Sequence, residues 1–315
     1  MVQTEVVVLD SQSDDGSWEL LQEKFGADTR VKLVQNKRGL GPTHSWIDGV
    51  NCATGDYLTF VWSDDYVSPR FISRLLPLLN EQTHVAIGVG VGRDVDDDTP
   101  FLQSDIVETF SSGDYLAGFF RPYGGTTPAI LSPACALFSR QVFDRWKEII
   151  GDWGRATQLR EQVIWKRAIG PDLILYFLGA LSGEKVAFTH EQVAQFSAHA
   201  GSISIFSPKY LLRSGYWLAR CWLVTDSGLK DDQIAGRLTR ITMETWLSGR
   251  HLSRIFPGGA IKGHSKAETR RWIRDECSSV LTLLRQRQSK GACIAALARA
   301  LIMRVLPRRY RKATM

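Results

Sequence analysis

Acidic side chains follow or open apolar runs at three points of the chain. Asp10 closes EVVVLD, Asp64 and Asp65 follow DYLTFVWS, and Asp172 opens the run DLILYFLGAL after Ile-Gly-Pro. In an open α/β sheet, ligands bind in the crevice at the carboxyl ends of the strands, so polar residues placed there carry the chemistry. Two carboxylates on one tight turn repel each other, and a divalent cation shared with phosphate oxygens is the usual remedy. The bland alternative for Asp64 and Asp65 is a solvated turn capping the helix expected after Pro69. For Asp172 the choice lies between a general base presented by the Gly-Pro break and a helix-start carboxylate that complements the macrodipole. His44 and His190 read as structural.

These groups need a frame, and the pattern from residue 4 to about 91 supplies one. Short β-branched runs alternate with amphipathic stretches, as in βαβ units around a parallel sheet. EVVVLD reads as the first strand and SWELLQEKF as a helix capped by Ser17. VKLVQ is a second strand, THSWIDGVNCATG a helix that stops at Gly55, and DYLTFVW a third strand entering the turn SDDYVSP. The helix RFISRLLPLLN follows, then a fourth strand, VAIGVGV. Its alternating Gly88, Gly90 and Gly92 precede no helix, which argues against a dinucleotide loop. Residues 93 to 127 read as a partly looped region facing a ligand or partner. A strand within TPAILSPACALFS, helices through about 182, and the strands EKVAF and EQVAQF complete the first part.

Composition sets the outer limits. The 315 residues are 44% hydrophobic, enough for a sizeable core. Five scattered cysteines fit neither a disulfide framework nor a CxxC zinc site, which favours a reducing compartment. The start MVQTEVVVLD lacks the basic head and apolar stretch of a signal peptide, and no apolar run approaches the ~20 residues of a membrane span. A cytoplasmic protein, peripheral to the membrane at most, is expected. The net charge of +6 is unevenly spread: residues 205 to 315 hold 22 of the 39 Lys and Arg but only 7 of the 33 Asp and Glu. That segment ends in ACIAALARALIMRVLPRRYRK, either an interfacial helix drawn to anionic lipid or a bundle helix with a solvated basic end. No motif that reads nucleic acid accompanies the charge. Two parts are expected, an α/β domain over 1–204 and a basic helical region over 205–315.

Taken in order, LDSQSDDGS, NKRGLG, GDYLTFVWSDDYVSP, SPACALFSRQVF and AHAGSIS resemble the successive motifs of family 2 glycosyltransferases over residues 4 to 204. The resemblance implies the GT-A fold, a mixed sheet that binds a nucleotide sugar, followed by a C-terminal helical region. It implies that Asp10 contacts the nucleoside, that Asp64 is the metal-holding carboxylate of a DxD-like motif, and that Asp65 lies beside the donor sugar. It further implies Asp172 as the base of an inverting enzyme and His199 as a group near the metal or diphosphate. The implied cofactor is Mg²⁺ or Mn²⁺. The implied partners are a nucleotide sugar, by analogy UDP-linked, and a saccharide or lipid-linked acceptor in surface polysaccharide synthesis. Two departures stand out: family members usually have a strand and Pro-containing turn ahead of the one matching EVVVLD, and Trp62 stands where many carry the first acid of DxD. They keep open a second expectation, a non-catalytic scaffold of the same fold that binds a partner enzyme or the membrane surface.

Overall fold

The computed structural model describes residues 2–36, 41–94, 99–120, 132–153, 168–198, 209–229 and 265–285, with positions 231, 234–239, 242–243, 294 and 298 between and beyond them. Two compact units are present, one formed by residues 1–110 and 130–199, the other by 111–129 and 200–315.

The first unit opens with β1 (Val6–Asp10), α1 (Ser17–Phe25), β2 (Val31–Gln35) and α2 (Pro42–Cys52). β1 and β2 pair in parallel, Val6 opposite Val31 and Asp10 opposite Gln35, as a two-stranded sheet of their own. Ser17 does not cap α1. The N-cap is Gly16, in a left-handed conformation with φ 84°, and the Ser17 amide instead donates to the Asp15 carboxylate. Gly16 is there because a left-handed cap strains residues that carry a Cβ. No side chain of α1 is buried.

The second sheet is mixed. Its strands are β3 (Tyr57–Leu58), β4 (Asp65–Val67), β5 (Thr83–Asp94), β6 (Val107–Ser111), β7 (Ala136–Ser139) and β8 (Lys185–Ala198). The order is β3-β7-β5-β8-β4, with β6 also on β8. Only β5 and β8 run parallel within the described central pairs; β3–β7, β5–β7 and β4–β8 are antiparallel. EKVAF and EQVAQF are thus one strand with irregular register rather than two. DYLTFVW pairs over only two residues, and part of the expected turn after it is β4.

Two of the three alternating glycines of β5 have a packing cause, whereas a Cβ on Gly92 would meet nothing. A Cβ at Gly88 would strike Val193, and one at Gly90 would strike Cys135 Sγ and the Phe196 ring. Small residues on that face therefore let the neighbouring strand and the turn at Pro133–Cys135 close against the sheet. Helix α3 (Phe71–Leu75) buries Phe71 and Leu75 against Ala86, Leu137, Ala187 and Val193. Helices α5 (Arg140–Trp153) and α6 (Pro171–Leu181) cover the sheet, and Pro171 through Ala180 are all buried. Glu191, 1% exposed, is paired by Arg74 at 3.2 Å and Arg70 at 3.1 Å. Arg74 also donates to the Ser104 carbonyl, which pins the 99–106 segment beside β8.

Glu5 ties the two sheets together. Its Oε1 accepts from the Gly55 amide at 2.7 Å, the Thr54 hydroxyl at 2.9 Å and the Thr54 amide. The Thr54 amide is the main cause that holds the Glu5 carboxyl below its ordinary value of 4.5, with burial opposing it. Because the folded value lies below the unfolded one, this stabilisation is full above about pH 4.5 and fades as pH falls through the folded value. Glu5→Gln should cost on the order of 1 kcal/mol at pH 7, since charged acceptors bind amides more strongly than neutral ones. Melting curves should show the gap between wild type and variant narrowing from pH 5 to pH 3. A gap independent of pH would mean that the charge does not contribute.

In the second unit α4 (Ser112–Gly118) is capped by Ser111, whose hydroxyl accepts from the Asp114 amide. Its last carbonyls accept guanidinium hydrogens: Arg220 donates to Phe119 O and Arg237 to Ala117 O. Cations suit a helix carboxyl end. Arg220 lies on α7 (Lys209–Thr225), where Trp217, Leu218, Cys221 and Trp222 are buried. Helix α8 (Lys266–Arg285) begins with a capping box in which Ser265 and Glu268 exchange hydrogen bonds. Most of the ACIAALARALIMRVLPRRYRK stretch lies outside the described residues. Among the described residues no helix is long and apolar enough to cross a membrane.

Candidate active site

Asp10 stands at the carboxyl end of β1, 7% exposed. Its Oδ1 accepts from the Ser13 hydroxyl at 2.5 Å, and its Oδ2 accepts from Gln35 Nε2 at 3.1 Å. Burial works to raise this carboxyl, yet the Ser13 hydroxyl, the Gln35 amide and the backbone amides of Ser13 and Gln12 more than offset it and hold the group below its ordinary value. The group is therefore a fixed anion at the rim of the parallel pair. The loop beyond it is strained: Gln12 adopts φ 57°, an uncommon conformation for a residue with a side chain, of the kind that clusters at functional sites.

Asp64 and Asp65 form the end of a β-turn closed by the Asp65 amide donating to Trp62 O at 3.1 Å. The Asp64 carbonyl accepts a short hydrogen bond from the Ser197 hydroxyl near the end of β8. Asp65 lies opposite Phe196 in the β4–β8 ladder, so the turn is locked to the last residues of β8. Asp65 also lies near the buried Cys135 thiol: burial first, and the Asp65 charge second, push that thiol well above its usual range. Cys135 is thus a protonated packing group.

Asp172 occupies the first turn of α6 and is 8% exposed. Its Oδ1 accepts from the Gly170 amide at 2.9 Å and the Leu173 amide at 2.8 Å. These bonds satisfy donors that a helix start leaves open, and Gly170 takes φ 112° to make the bend. His199 lies outside the described residues.

Helix α2 joins the elements that carry Asp10, Asp64 and Asp172. A Cβ on Gly49 would meet Leu9 Cδ1 at 2.9 Å, so β1 packs closely beneath the helix. One turn earlier, Trp46 sits 5.3 Å from the Trp62 ring, at the head of the Asp64 turn, and stacks on Phe60 at 4.6 Å. Trp46 also lies 6.1 Å from Trp146, whose indole N–H donates to the Pro171 carbonyl at 2.7 Å, beside Asp172. Trp62, where an acid was expected from the family pattern, is thus half-buried packing that sets the turn. This aromatic cluster went unseen in the sequence, where its members lie far apart.

The donor set bears on a metal. Among the described residues no group of three or more His, Cys, Asp or Glu side chains could hold an ion. Adjacent carboxylates on one turn do fit Mg²⁺ or Mn²⁺ shared with a diphosphate, because such ions are commonly held by one or two carboxylates, with water and phosphate completing the shell.

Comparison with known proteins agrees with this frame. Residues 3–146 match the model described as Glycosyl transferase family 2. EpsH of Bacillus subtilis, whose name places it among glycosyltransferases, is 26% identical over 107 residues, 34% of this chain and 30% of its own. Glycosyltransferase GlyA of Streptococcus pneumoniae serotype 4 is 22% identical over 214 residues, 66% of this chain and 28% of its own. The chain spans about a third of the length of these relatives. The crystal structure of S. aureus TarS superposes with a TM-score of 0.51 at 13% identity, covering 94% of this chain and 49% of that one. TarS 1–349 gives 0.50 at 16% identity, covering 91% and 84%. The match to glycosyl transferase family 2 thus covers residues 3–146, and the fold is GT-A.

Proposed function

We propose that the protein is a metal-dependent, inverting glycosyltransferase that moves a sugar from a nucleoside diphosphate, uridine by family analogy, to a saccharide or lipid-linked acceptor in surface polysaccharide synthesis. The observation that carries this reading is the attachment of the Asp10, Asp64 and Asp172 elements to one helix through Leu9, Trp62 and Trp146. In this reading Asp10 holds the nucleoside and Asp64, with Asp65 beside it and His199 nearby, holds Mg²⁺ or Mn²⁺ on the diphosphate. The bound ion would stabilise the negative charge that builds on the departing diphosphate. Asp172 takes the proton of the acceptor hydroxyl as that oxygen attacks the anomeric carbon, and in-line attack inverts the centre. The +15 charge of residues 205 to 315 supports a working position at an anionic membrane surface on the cytoplasmic side.

Calorimetric titration tests the reading. UDP should release heat with Mn²⁺ present and bind at least about ten-fold more weakly with the ion chelated, since the ion bridges carboxylate and phosphate. Absence of heat under every metal condition would reject it. It would favour the second reading, a GT-A scaffold for a partner enzyme or membrane, for which packing by Trp62 in place of an acid is the motivating observation.

A further inference from the structure

Next to the Asp64–Asp65 turn, an aromatic ring is held in the open. Tyr66 is the middle residue of β4 and is 46% exposed, although its main chain is locked into the ladder opposite Gln195. The Arg93 guanidinium lies over the ring, 4.1 Å from its centre. Arg93 is braced in turn: it donates to Gln195 Oε1 at 2.9 Å, and Gln195, 1% exposed, donates from Nε2 to the Thr99 carbonyl at 2.9 Å. Arg93 Nε is closed to solvent and has no hydrogen-bond acceptor. Leaving such a donor unpaired is unfavourable, so hydrogen bonding alone does not account for where the guanidinium lies. Holding the ring does. With one face under the cation, the exposed area belongs to the other face, and strand and brace are both in place before a ligand arrives.

Such a surface suits a sugar. A pyranose has hydroxyls at its rim and C–H bonds on its faces, and those slightly positive hydrogens lie well on the negative face of an aromatic ring. A ring already immobile loses little freedom when the sugar settles on it.

Position selects the acceptor over the donor. Side chains alternate along β5, so Arg93 shares a face with Val85, whereas Gly88 and Gly90 look to the other side at Val193 and Phe196. A Cβ on Gly179 of α6 would strike Val85, so α6 covers the Arg93 face. A Cβ on Gly183, just past α6, would strike the Gln82 carbonyl ahead of β5. Helix α6 therefore ends at the start of β5 and begins towards its carboxyl end, which puts Asp172 at the same end and on the same face as Tyr66. Asp65, opposite Phe196, belongs to the other face. With β8 between them, β4 and β5 are about 10 Å apart at ordinary strand spacing, room for a second sugar unit.

We infer that Tyr66 is a specificity-determining contact for the acceptor: its open face receives the C–H face of a sugar ring neighbouring the one that is glycosylated, while Arg93 and Gln195 brace it. The inference rests on the glycosyltransferase reading and deepens it, since it makes the acceptor a saccharide of two or more units.

A microarray printed with bacterial surface oligosaccharides, probed in the presence of UDP and Mn²⁺, selects a glycan for the test. Calorimetric titrations with that glycan and with UDP, alongside melting curves, then compare wild type, Tyr66→Ala, Tyr66→Trp and Arg93→Ala. Tyr66→Ala should lose about ten-fold in glycan affinity while UDP affinity and melting point stay near wild type. Tyr66→Trp, which keeps a flat ring, should bind the glycan nearly as wild type does. Arg93→Ala should lose about three-fold as the brace goes. Unchanged glycan affinity in Tyr66→Ala overturns the inference. Equal losses of glycan and UDP with a lowered melting point, in Tyr66→Trp as in Tyr66→Ala, overturn it as well, because they mark a ring that only supports the Asp64 turn. A wild type that binds UDP but no glycan overturns it and leaves the glycosyltransferase reading in place. A wild type that binds neither overturns both.

Discussion

Asp64→Ala is expected to lower donor turnover about a thousand-fold and to abolish the metal dependence of nucleotide binding. A carboxylate-held cation contributes several kcal/mol to a departing diphosphate, and each 1.4 kcal/mol is a factor of about ten in rate. The fold should survive. Alanine keeps the carbonyl that Ser197 grips, and the turn itself is closed by main-chain atoms of Asp65 and Trp62. Turnover of a UDP-sugar at saturating Mn²⁺, alongside circular dichroism, separates the two effects. A variant with wild-type turnover would remove Asp64 from the chemistry altogether.

Asp172→Asn is the second large effect, and here two roles compete within one carboxylate. As a base the residue must be an anion that receives a proton; as a helix-start group it must only accept the amides of Gly170 and Leu173. Asparagine retains an oxygen for those amides and cannot act as the base. The variant should therefore keep its melting point within a few degrees and its affinity for UDP, and lose transfer by about 10²- to 10⁴-fold, the range of general-base catalysis. Asp172→Ala should lose stability as well, by about 1 kcal/mol for a missing helix-start acceptor. An Asn variant that transfers sugar at the wild-type rate would leave Asp172 with its structural role alone.

Local pattern made part of this legible. Asp10 is found at the end of a strand because VVVLD is a β-branched run closed by a polar residue, and the α2 helix overlaps THSWIDGVNCATG because its apolar residues recur at helical spacing, although it starts at Pro42 and ends at Cys52 instead of Gly55. The Asp64–Asp65 turn is likewise where a paired carboxylate after an apolar run belongs. What escaped was decided by partners distant in the chain. Ser17 lost its capping role to a left-handed Gly16, a backbone choice that residue type alone does not dictate. The glycines of β5 could be seen to alternate, but the side chains that require Gly88 and Gly90, namely Val193, Cys135 and Phe196, are brought up by other elements. Tyr66 could be quoted as part of a motif, whereas the guanidinium over its ring is a property of the folded neighbourhood. Trp62 looked like a missing acid and proved to be one wall of a ring cluster whose other members come from α2, α5 and the segment after β3.

That cluster has a bearing on how variants of the protein should be interpreted. The nucleoside end, the diphosphate end and the acceptor end of the proposed reaction share a mount: Trp46 and Gly49, one helical turn apart, touch the elements of all three. A change that tilts this helix would misalign recognition and chemistry in common, so a fall in affinity accompanied by a fall in rate points to the shared mount, and a fall in only one of them points to the residue replaced.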